Sequence, residues 1–319
     1  MRTKFANIDD FLGDKSTRFF SNGYKRAVRT IKEIMITASG AEAMCCVAIP
    51  ENWSTKGSTH QKVHLSSVDA ALIALQLSEA YCVISRGLTT LKRKAITIVS
   101  LTMKAGKEPL ENLENFKATT TLLTTEGSVV SFESHIGGMV VVLELQLPTL
   151  REHQNLIPKE GLHYDTINTI LGEPTNNFYG TGFANVTHNI TEVDVDLDAA
   201  SVTAKVESAF AERAAYQGME TLIGQGASPI DAMVVLSQLG QCYLYLLDGI
   251  SRANSSTLWM RGMTFSRDNT PKSNGGLASI NVIRSEQILI EGAPWRCVNI
   301  EGVMGDMRVF YGLGHALPN

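Results

Sequence analysis

The sequence has little of several features that mark common functional classes. Acidic residues outnumber basic ones, so the formal net charge is −4 and no basic face for nucleic acid is indicated. No apolar run reaches the roughly 18 to 20 residues of a membrane span, and the N-terminal residues lack the apolar core of a signal peptide. A phosphate-binding loop and a dinucleotide fingerprint are both absent. We therefore expect a cytoplasmic protein that binds neither nucleic acid nor a membrane.

Cysteine is also scarce, and its spacing excludes the usual metal motifs. The five cysteines form no Cys-x-x-Cys pair and several stand inside apolar segments, so we expect reduced, mostly buried thiols and no metal site. The sequence has no Gly-x-Ser-x-Gly motif, so a covalent acyl-enzyme on a serine is not indicated. No cofactor is expected.

A long apolar helix is predicted from Ser66 or Ser67 onward. A serine oxygen can accept from the unpaired first-turn amides, and Asp69 adds negative charge at the positive end of the helix. The body is almost wholly apolar, which predicts burial on most sides, and Gly87 is a natural stop. Asp69 and Gln76 are two polar exceptions on one face, because they lie two helical turns apart.

The same pattern recurs 162 positions later. Ser228 precedes Pro229, which suits the first helical position, and Asp231 and Gln238 repeat the spacing of the first copy. A second match relates the segment around Gly137 to the segment around Gly305, 168 positions apart. The additional positions fit an insertion of turn-forming residues at 268–276. Two matches in the same order indicate an internal duplication.

The order of predicted elements defines the fold class. Strands, one long apolar helix and further strands occur twice, and an apolar helix needs a curved sheet around it to bury its surface. We predict an α+β double hot-dog fold. Its units are residues 1–150 with an N-terminal arm and residues 183–319, joined by a connector at 151–182. In the second unit, alternation predicts a strand within 185–207, and helical spacing predicts a helix over 207–224.

Asp69 and Asp231 are the first candidates for chemistry, because a buried carboxylate is costly unless it is paired or used. The structural interpretation is that each supplies charge and a cap to its helix. The functional interpretation rests on Gln76 and Gln238, which lie too deep to cap the helices and occur in both copies. The remaining histidines are interpreted as non-catalytic: His135 and His315 as structural or surface residues, and His153, His163 and His188 as exposed.

The start of the second helix resembles a known motif loosely. Pro229-Ile230-Asp231 is similar to the proline-then-aspartate start of the second-half helix in double hot-dog dehydratases of fatty-acid and polyketide synthesis. That resemblance implies a first-unit His, here His64 or else His60, working with Asp231 on a β-hydroxyacyl thioester. The chain departs from the motif, because the Pro-to-Asp spacing is short and the His-x-x-x-Gly-x-x-x-x-Pro pattern is absent.

Over nearly its whole length the chain resembles the avirulence D (AvrD) family. The resemblance is carried by Val63-His64-Leu65-Ser66-Ser67-Val68-Asp69-Ala70 and by the Gln76-Leu77 that follows. That family is implicated in making syringolides, which are acylated sugar-lactone elicitors, and is similar to the A-factor synthases, which are also tandem hot-dog proteins. The resemblance implies transfer of a β-ketoacyl group from a thioester, carried by acyl carrier protein or coenzyme A, to a hydroxyl of a small polyol or ketose.

Such a transfer requires a base for the acceptor hydroxyl and donors for the thioester oxygen. The predicted catalytic residues are His64, Asp69 and Asp231. The predicted substrate-binding residues are Gln76, Gln238, Ser66, Ser228 and His60, with the helix N-termini after Ser66 and Ser228 as oxyanion sites. Weaker candidates for the acceptor site are Trp295, Arg296 and Arg308.

Several alternatives remain open at the level of the sequence. A hot-dog dehydratase, a thioesterase and a non-catalytic acyl-binding protein are each compatible with the same residues, because fold does not fix function. The sequence also leaves open which of the two units works and whether the chain forms a homodimer.

Overall fold

The computed structural model describes residues 1–149, 157–209, 213–223, 226–267 and 276–318. Its helices are α1 (Asp9–Leu12), α2 (Ser67–Arg86), α3 (Thr90–Lys94), α4 (Ile167–Leu171) and α5 (Pro229–Leu247). Its strands are β1 (Arg2–Asn7), β2 (Val28–Thr37), β3 (Gly40–Ala48), β4 (Thr55–Lys56), β5 (Thr59–His60), β6 (Thr97–Lys104), β7 (Phe116–Glu126), β8 (Val129–Ile136), β9 (Met139–Gln146), β10 (Leu162–Thr166), β11 (Thr187–Asp196), β12 (Ser201–Ala209), β13 (Trp259–Arg267), β14 (Leu277–Ile290), β15 (Ala293–Met304) and β16 (Met307–Ala316).

One antiparallel sheet of 14 described strands runs through both halves, in the order β1-β11-β12-β14-β15-β16-β13-β6-β9-β8-β7-β3-β2-β10. Its centre is the β6–β13 pair, where Thr102 lies opposite Thr264 and the two Oγ1 atoms are 3.2 Å apart. These threonines are 162 positions apart, the same offset as Asp69 and Asp231. The contact therefore marks a pseudo-twofold axis between the halves, as the duplication predicts.

Helix α2 begins and ends where the sequence indicates. Ser66 and Asp69 form a capping box, and Gly87 takes the left-handed conformation (φ 57°) that a helix C-terminus favours. Nearly every side chain of α2 is buried, and the helix packs on β2, β3, β7, β8 and β9. Each large apolar side chain removed from water contributes about 1.5–3 kcal/mol, so the enclosure of this helix is the main stabilisation of the first half.

Helix α5 repeats this arrangement against β11, β12, β14, β15 and β16, with Pro229 in its first turn. Two apolar helices, each wrapped by its half of a continuous antiparallel sheet, form the predicted double hot-dog. Both helices are long and apolar enough to cross a membrane by length and composition, but 83% and 89% of their apolar windows are buried inside the fold.

The edges of the sheet show an exchange between the halves. Strand β1 pairs with β11 of the second half, and β10 pairs with β2 of the first half. Each exchanged strand is followed by a short helix and two 3₁₀ turns, so residues 162–185 repeat the order of elements in residues 2–26. Much of the predicted connector therefore carries a copy of the predicted N-terminal arm. The predicted unit boundaries themselves stay a prediction.

The second half differs from the sequence prediction in one place. The predicted helix over 207–224 is wrong for the described residues, because β12 continues to Ala209 and only the short turn Arg213–Ala215 is helical. The alternating stretch before it is a hairpin, with β11 and β12 separated by a turn at 197–200. The first half has β3 and a 3₁₀ turn at the equivalent place, so the duplication was a better guide than local periodicity. Most of the predicted insertion at 268–276 lies outside the described residues.

Candidate active site

A cavity of about 570 Å³ lies between the halves, beside the N-terminus of α2. We call it the first cleft. One wall comes from the first half, through the turns around Trp53 and Gly138, the α2 start and the loop 105–110. The opposite wall comes from the second half, through α5 at Ser237, strand β13 and Trp295 of β15. The size suits a small-molecule substrate of ordinary dimensions.

His64 lies in this cleft with one ring nitrogen free for chemistry. Its Nδ1 is 2.9 Å from the carbonyl oxygen of Lys62. A carbonyl oxygen can only accept, so this contact requires the proton on Nδ1 and leaves the electron pair on Nε2. The ring lies between Trp53 and Trp259, with centroid distances of 5.3 and 5.1 Å, which restrict its orientation. A half-buried imidazole held in this tautomer can act as a general base.

The α2 N-terminus supplies hydrogen-bond donors at the same cleft. The capping box uses the amides of Ser66 and Asp69, since each binds the side chain of the other. The amides of Ser67 and Val68 are the remaining donors of the first turn, and Ser67 lines the cleft. Backbone amides at a buried helix N-terminus can stabilise negative charge that develops on a thioester oxygen.

The cleft walls are largely apolar and rich in tryptophan. The chain contains three tryptophans, and Trp53, Trp259 and Trp295 all line this cleft. Leu65, Met263 and other apolar side chains complete the walls. Such walls suit an acyl chain, which gains about 0.8 kcal/mol for each buried methylene group.

Three buried basic side chains lie near one another in the cleft wall. Arg18 is buried and donates to Gln238 Oε1 at 3.1 Å and to the Asp9 carboxylate. Arg252 donates to the carbonyl oxygen of Thr17 at 2.9 Å. Lys56 is only 7% exposed, and burial together with the charge of Arg252 lowers its pKa to about 7. Nothing in the sequence pattern singled out these three residues, which come from distant segments.

Asp69 and Asp231 lie outside the cleft walls and are engaged in structural contacts. Asp69 accepts from Ser66 Oγ at 2.5 Å and lies 2.6 Å from Arg29 Nη2. Asp231 binds Ser228 in the same way and also contacts Arg213 and His188, at 3.1 and 3.2 Å. The interpretation of His188 as exposed is therefore wrong, because its side chain is only 6% exposed and lies beside this carboxylate. His153 lies outside the described residues. The predicted catalytic roles of both aspartates stay predictions, but their described contacts match the capping interpretation.

Burial acts to raise the pKa of Asp231, but the hydrogen bond from His188 and the charges of His188 and Arg213 outweigh it. The net result is a pKa below the usual range of an aspartate. A carboxylate held ionised in this way is a poor proton acceptor at neutral pH, because its conjugate acid is too strong.

The other predicted binding residues separate into three groups. Gln238 supports the cleft indirectly, because it accepts from Arg18 and donates to the carbonyl oxygen of Phe20 at 3.1 Å. Gln76 donates to Leu72 of its own helix at 3.3 Å and does not line the cleft. His60 is exposed and Ser228 caps α5, both away from the cleft.

Of the three residues considered for the acceptor site, one lines the cleft. Trp295 lines the cleft, whereas Arg296 binds Asp248 at 2.7 Å and Arg308 is exposed.

The pseudo-equivalent region of the second half contains buried ion pairs. We call this region the second cleft; it lies beside the N-terminus of α5. Arg267 binds Glu220 at 2.8 Å and also the Asp306 carboxylate. Glu220 is fully buried and accepts from Tyr179 and from the Ile98 amide. The described residues here bind one another, whereas those of the first cleft leave a cavity.

A second buried cluster adjoins the first. Arg93 binds Glu79 at 2.9 Å, Asn177 at 3.0 Å and the carbonyl oxygen of Leu171 at 3.0 Å. Glu79 takes the position in α2 that Gln241 takes in α5, and Gln241 lines the first cleft. The duplication alone could not reveal this asymmetry, because the helices themselves are alike.

Comparisons with known proteins identify one family and several solved structures of similar fold. The family model described as Pseudomonas avirulence D protein (AvrD) matches residues 3–318. No curated protein matches the sequence. Solved structures with a similar arrangement include a tesB protein of Mycobacterium avium subspecies paratuberculosis, with 7% identity, a TM-score of 0.41 and coverage of 89% of this chain and 96% of that one.

Two further structures resemble the chain to a similar degree. Acyl-CoA thioesterase II TesB2 from Mycobacterium marinum has 9% identity, a TM-score of 0.35 and coverage of 76% of this chain and 89% of that one. The dehydratase domain of a mycocerosic acid synthase-like polyketide synthase has 9% identity, a TM-score of 0.36 and coverage of 90% and 94%.

Proposed function

This chain belongs to the AvrD family, and on that premise we propose that it is an enzyme that acts on acyl thioesters in the first cleft. The finer proposal is transfer of a β-ketoacyl group from a thioester to a hydroxyl of a small sugar-like acceptor, as in the biosynthesis of syringolide-type or butyrolactone-type signals. The observation that carries the proposal is His64, with a free Nε2 beside both an apolar cavity and a helix N-terminus.

In the proposed reaction, the acyl chain lies against the tryptophans and leucines of the cleft. The thioester oxygen faces the amides of Ser67 and Val68, which stabilise the charge that develops as the carbonyl carbon is attacked. His64 Nε2 takes the proton of the acceptor hydroxyl, and the imidazolium then returns a proton to the departing thiolate. The carrier is proposed to be acyl carrier protein or coenzyme A.

The test is a product assay with the whole purified chain. A β-ketoacyl N-acetylcysteamine thioester is incubated with xylulose, xylulose phosphate, dihydroxyacetone phosphate or no acceptor, and free thiol and product mass are read. The proposal predicts thiol release that requires an acceptor and yields an ester mass. Acceptor-independent release would identify a thioesterase instead. Loss of water from a β-hydroxyacyl thioester, without thiol release, would identify a dehydratase.

The role of His64 is tested by His64→Gln. Glutamine has a similar size and can still form hydrogen bonds, but it cannot act as a base. We expect kcat to fall by about 10²–10⁴-fold, the usual contribution of a general base. His163→Gln is the matched control, since His163 is exposed on the edge strand β10. Equal activity of the two variants would contradict the assignment of His64.

A further inference from the structure

Lys56 is held in the first cleft by two acceptors. Its Nζ donates to Ser255 Oγ at 2.9 Å and to the carbonyl oxygen of Ser256. The Ser255 hydroxyl donates its own hydrogen to the carbonyl oxygen of Arg252 at 2.9 Å. Ser255 Oγ therefore accepts from Lys56, and both contacts consume N–H groups of the lysine.

The surroundings of Lys56 match a neutral amine. A neutral amine has two N–H donors and one electron pair, and the two acceptors satisfy both donors while leaving the electron pair free. No carboxylate in the described part of the chain forms an ion pair with Nζ, and the neighbouring charge is the positive Arg252. Burial and that charge lower the pKa of Lys56 to about 7, which favours the neutral amine.

We propose that Lys56 is an amine nucleophile that forms a Schiff base with the ketone carbonyl of an acceptor bound in the first cleft. The proposal rests on the proposed function, because a ketose acceptor carries such a carbonyl. It extends that function from ester formation to a second, carbon–carbon bond-forming step in the same cavity. Lysines desolvated in this way are suited to Schiff-base chemistry.

The step balances without any additional reagent. The Nζ electron pair forms a bond to the carbonyl carbon, and the oxygen leaves as water after accepting protons, which gives a protonated imine. His64 then removes a proton from the methylene group between the ketone and ester carbonyls of the product. The resulting carbanion attacks the imine carbon, and the C=N electron pair returns to nitrogen. Loss of the second methylene proton expels the Lys56 amine and forms a carbon–carbon double bond, so the net product of condensation is one water.

Reductive trapping tests the proposal directly. The whole chain is incubated at pH 7 with sodium cyanoborohydride and either a β-ketoacyl N-acetylcysteamine thioester or dihydroxyacetone, and labelled lysines are identified by peptide mass mapping. Labelling of Lys56 by dihydroxyacetone is the expected result, and labelling by the acyl thioester alone would contradict the proposed step. Lys107 also lines the cleft but is exposed, so it is an internal control. We expect Lys56 to be labelled at least about 10-fold faster than Lys107, because Lys56 is buried with its pKa lowered to about 7.

Two outcomes would overturn the assignment. Labelling of Lys56 no faster than Lys107 would show that its amine is not an accessible nucleophile. An acyl mass on Lys56 that forms equally without cyanoborohydride would show acylation rather than an imine. In Lys56→Met, labelling of that peptide must disappear while Lys107 is labelled as before. Thiol release, measured in the same wild-type samples, reports the proposed acyl transfer separately, so either proposal can fail alone.

Discussion

The two clefts lie at equivalent places in the two duplicated halves but are lined by different residues. The first cleft encloses a cavity with His64, Lys56 and all three tryptophans. In the second cleft, Arg267 forms ion pairs with both Glu220 and Asp306. Buried ion pairs of this kind bind the surrounding elements together, whereas the first cleft leaves room for a ligand. The comparison shows that two copies with alike helices can differ in the residues around them.

The largest expected effect comes from breaking the ion pairs of the second cleft. Arg267→Met leaves the fully buried Glu220 without its cation, and removing one partner of a buried pair costs about 3–5 kcal/mol. Urea unfolding measures the loss. Arg284→Met is the matched control, because its pair with Glu286 is exposed and contributes little. A loss as small as that of the control would contradict a structural role for the second cleft.

The two capping aspartates are expected to differ in how much each stabilises the fold. Asp231 contacts Arg213 and His188, whereas among the described residues Asp69 has an ion pair with Arg29 alone. We expect Asp231→Asn to reduce the free energy of unfolding by about 3 kcal/mol, and Asp69→Asn by less. Thiol release per folded molecule should stay near the wild-type value in both. If Asp231→Asn folds but has no activity, the result would support a catalytic role for Asp231.

We also predict that the effect of Asp231→Asn on the free energy of unfolding depends on pH. The folded state lowers the pKa of Asp231, so its contribution to stability is complete above its ordinary pKa of about 4 and is lost as the pH falls below that value. The difference in unfolding free energy between wild type and Asp231→Asn should therefore be constant above pH 5 and shrink in acid. A difference that persists unchanged at pH 3 would show that ionisation of Asp231 is not its source.

The smallest expected effect lies on the pseudo-twofold axis. Thr102→Val and Thr264→Val should each cost about 1 kcal/mol, because each leaves one hydroxyl without its partner. The double variant should cost less than the sum, since no unpaired hydroxyl remains. Urea unfolding of the three variants measures this coupling. Strongly unequal single variants would show that the two sides of the axis differ even at the centre of the sheet.

The sequence predicted the parts of the fold that local chemistry determines. Ser66, Asp69 and Gly87 mark the limits of α2, and the repeated pattern locates α5, because capping and apolar burial depend on neighbouring residues. The exchange of β1 and β10 depends on which edge of the sheet each strand pairs with. The local sequence pattern of a strand does not determine that choice.

The candidate site was predicted only in part, for a related reason. His64 lines the cleft, as does Trp295. Asp69 and Asp231 were attractive because they are buried and repeated, yet the same two properties describe a structural cap. Lys56 was missed, since its environment is built by Ser255 and Arg252, some 200 positions away.

Binding of substrate in the first cleft can be followed through the tryptophans of this protein. Binding of an unreactive β-ketoacyl thioester analogue is measured by calorimetry and, in parallel, by intrinsic tryptophan fluorescence. Because all three tryptophans line the first cleft, we predict a saturable fluorescence change with the same midpoint as the heat of binding. Heat of binding without any fluorescence change would place the ligand elsewhere and contradict the account.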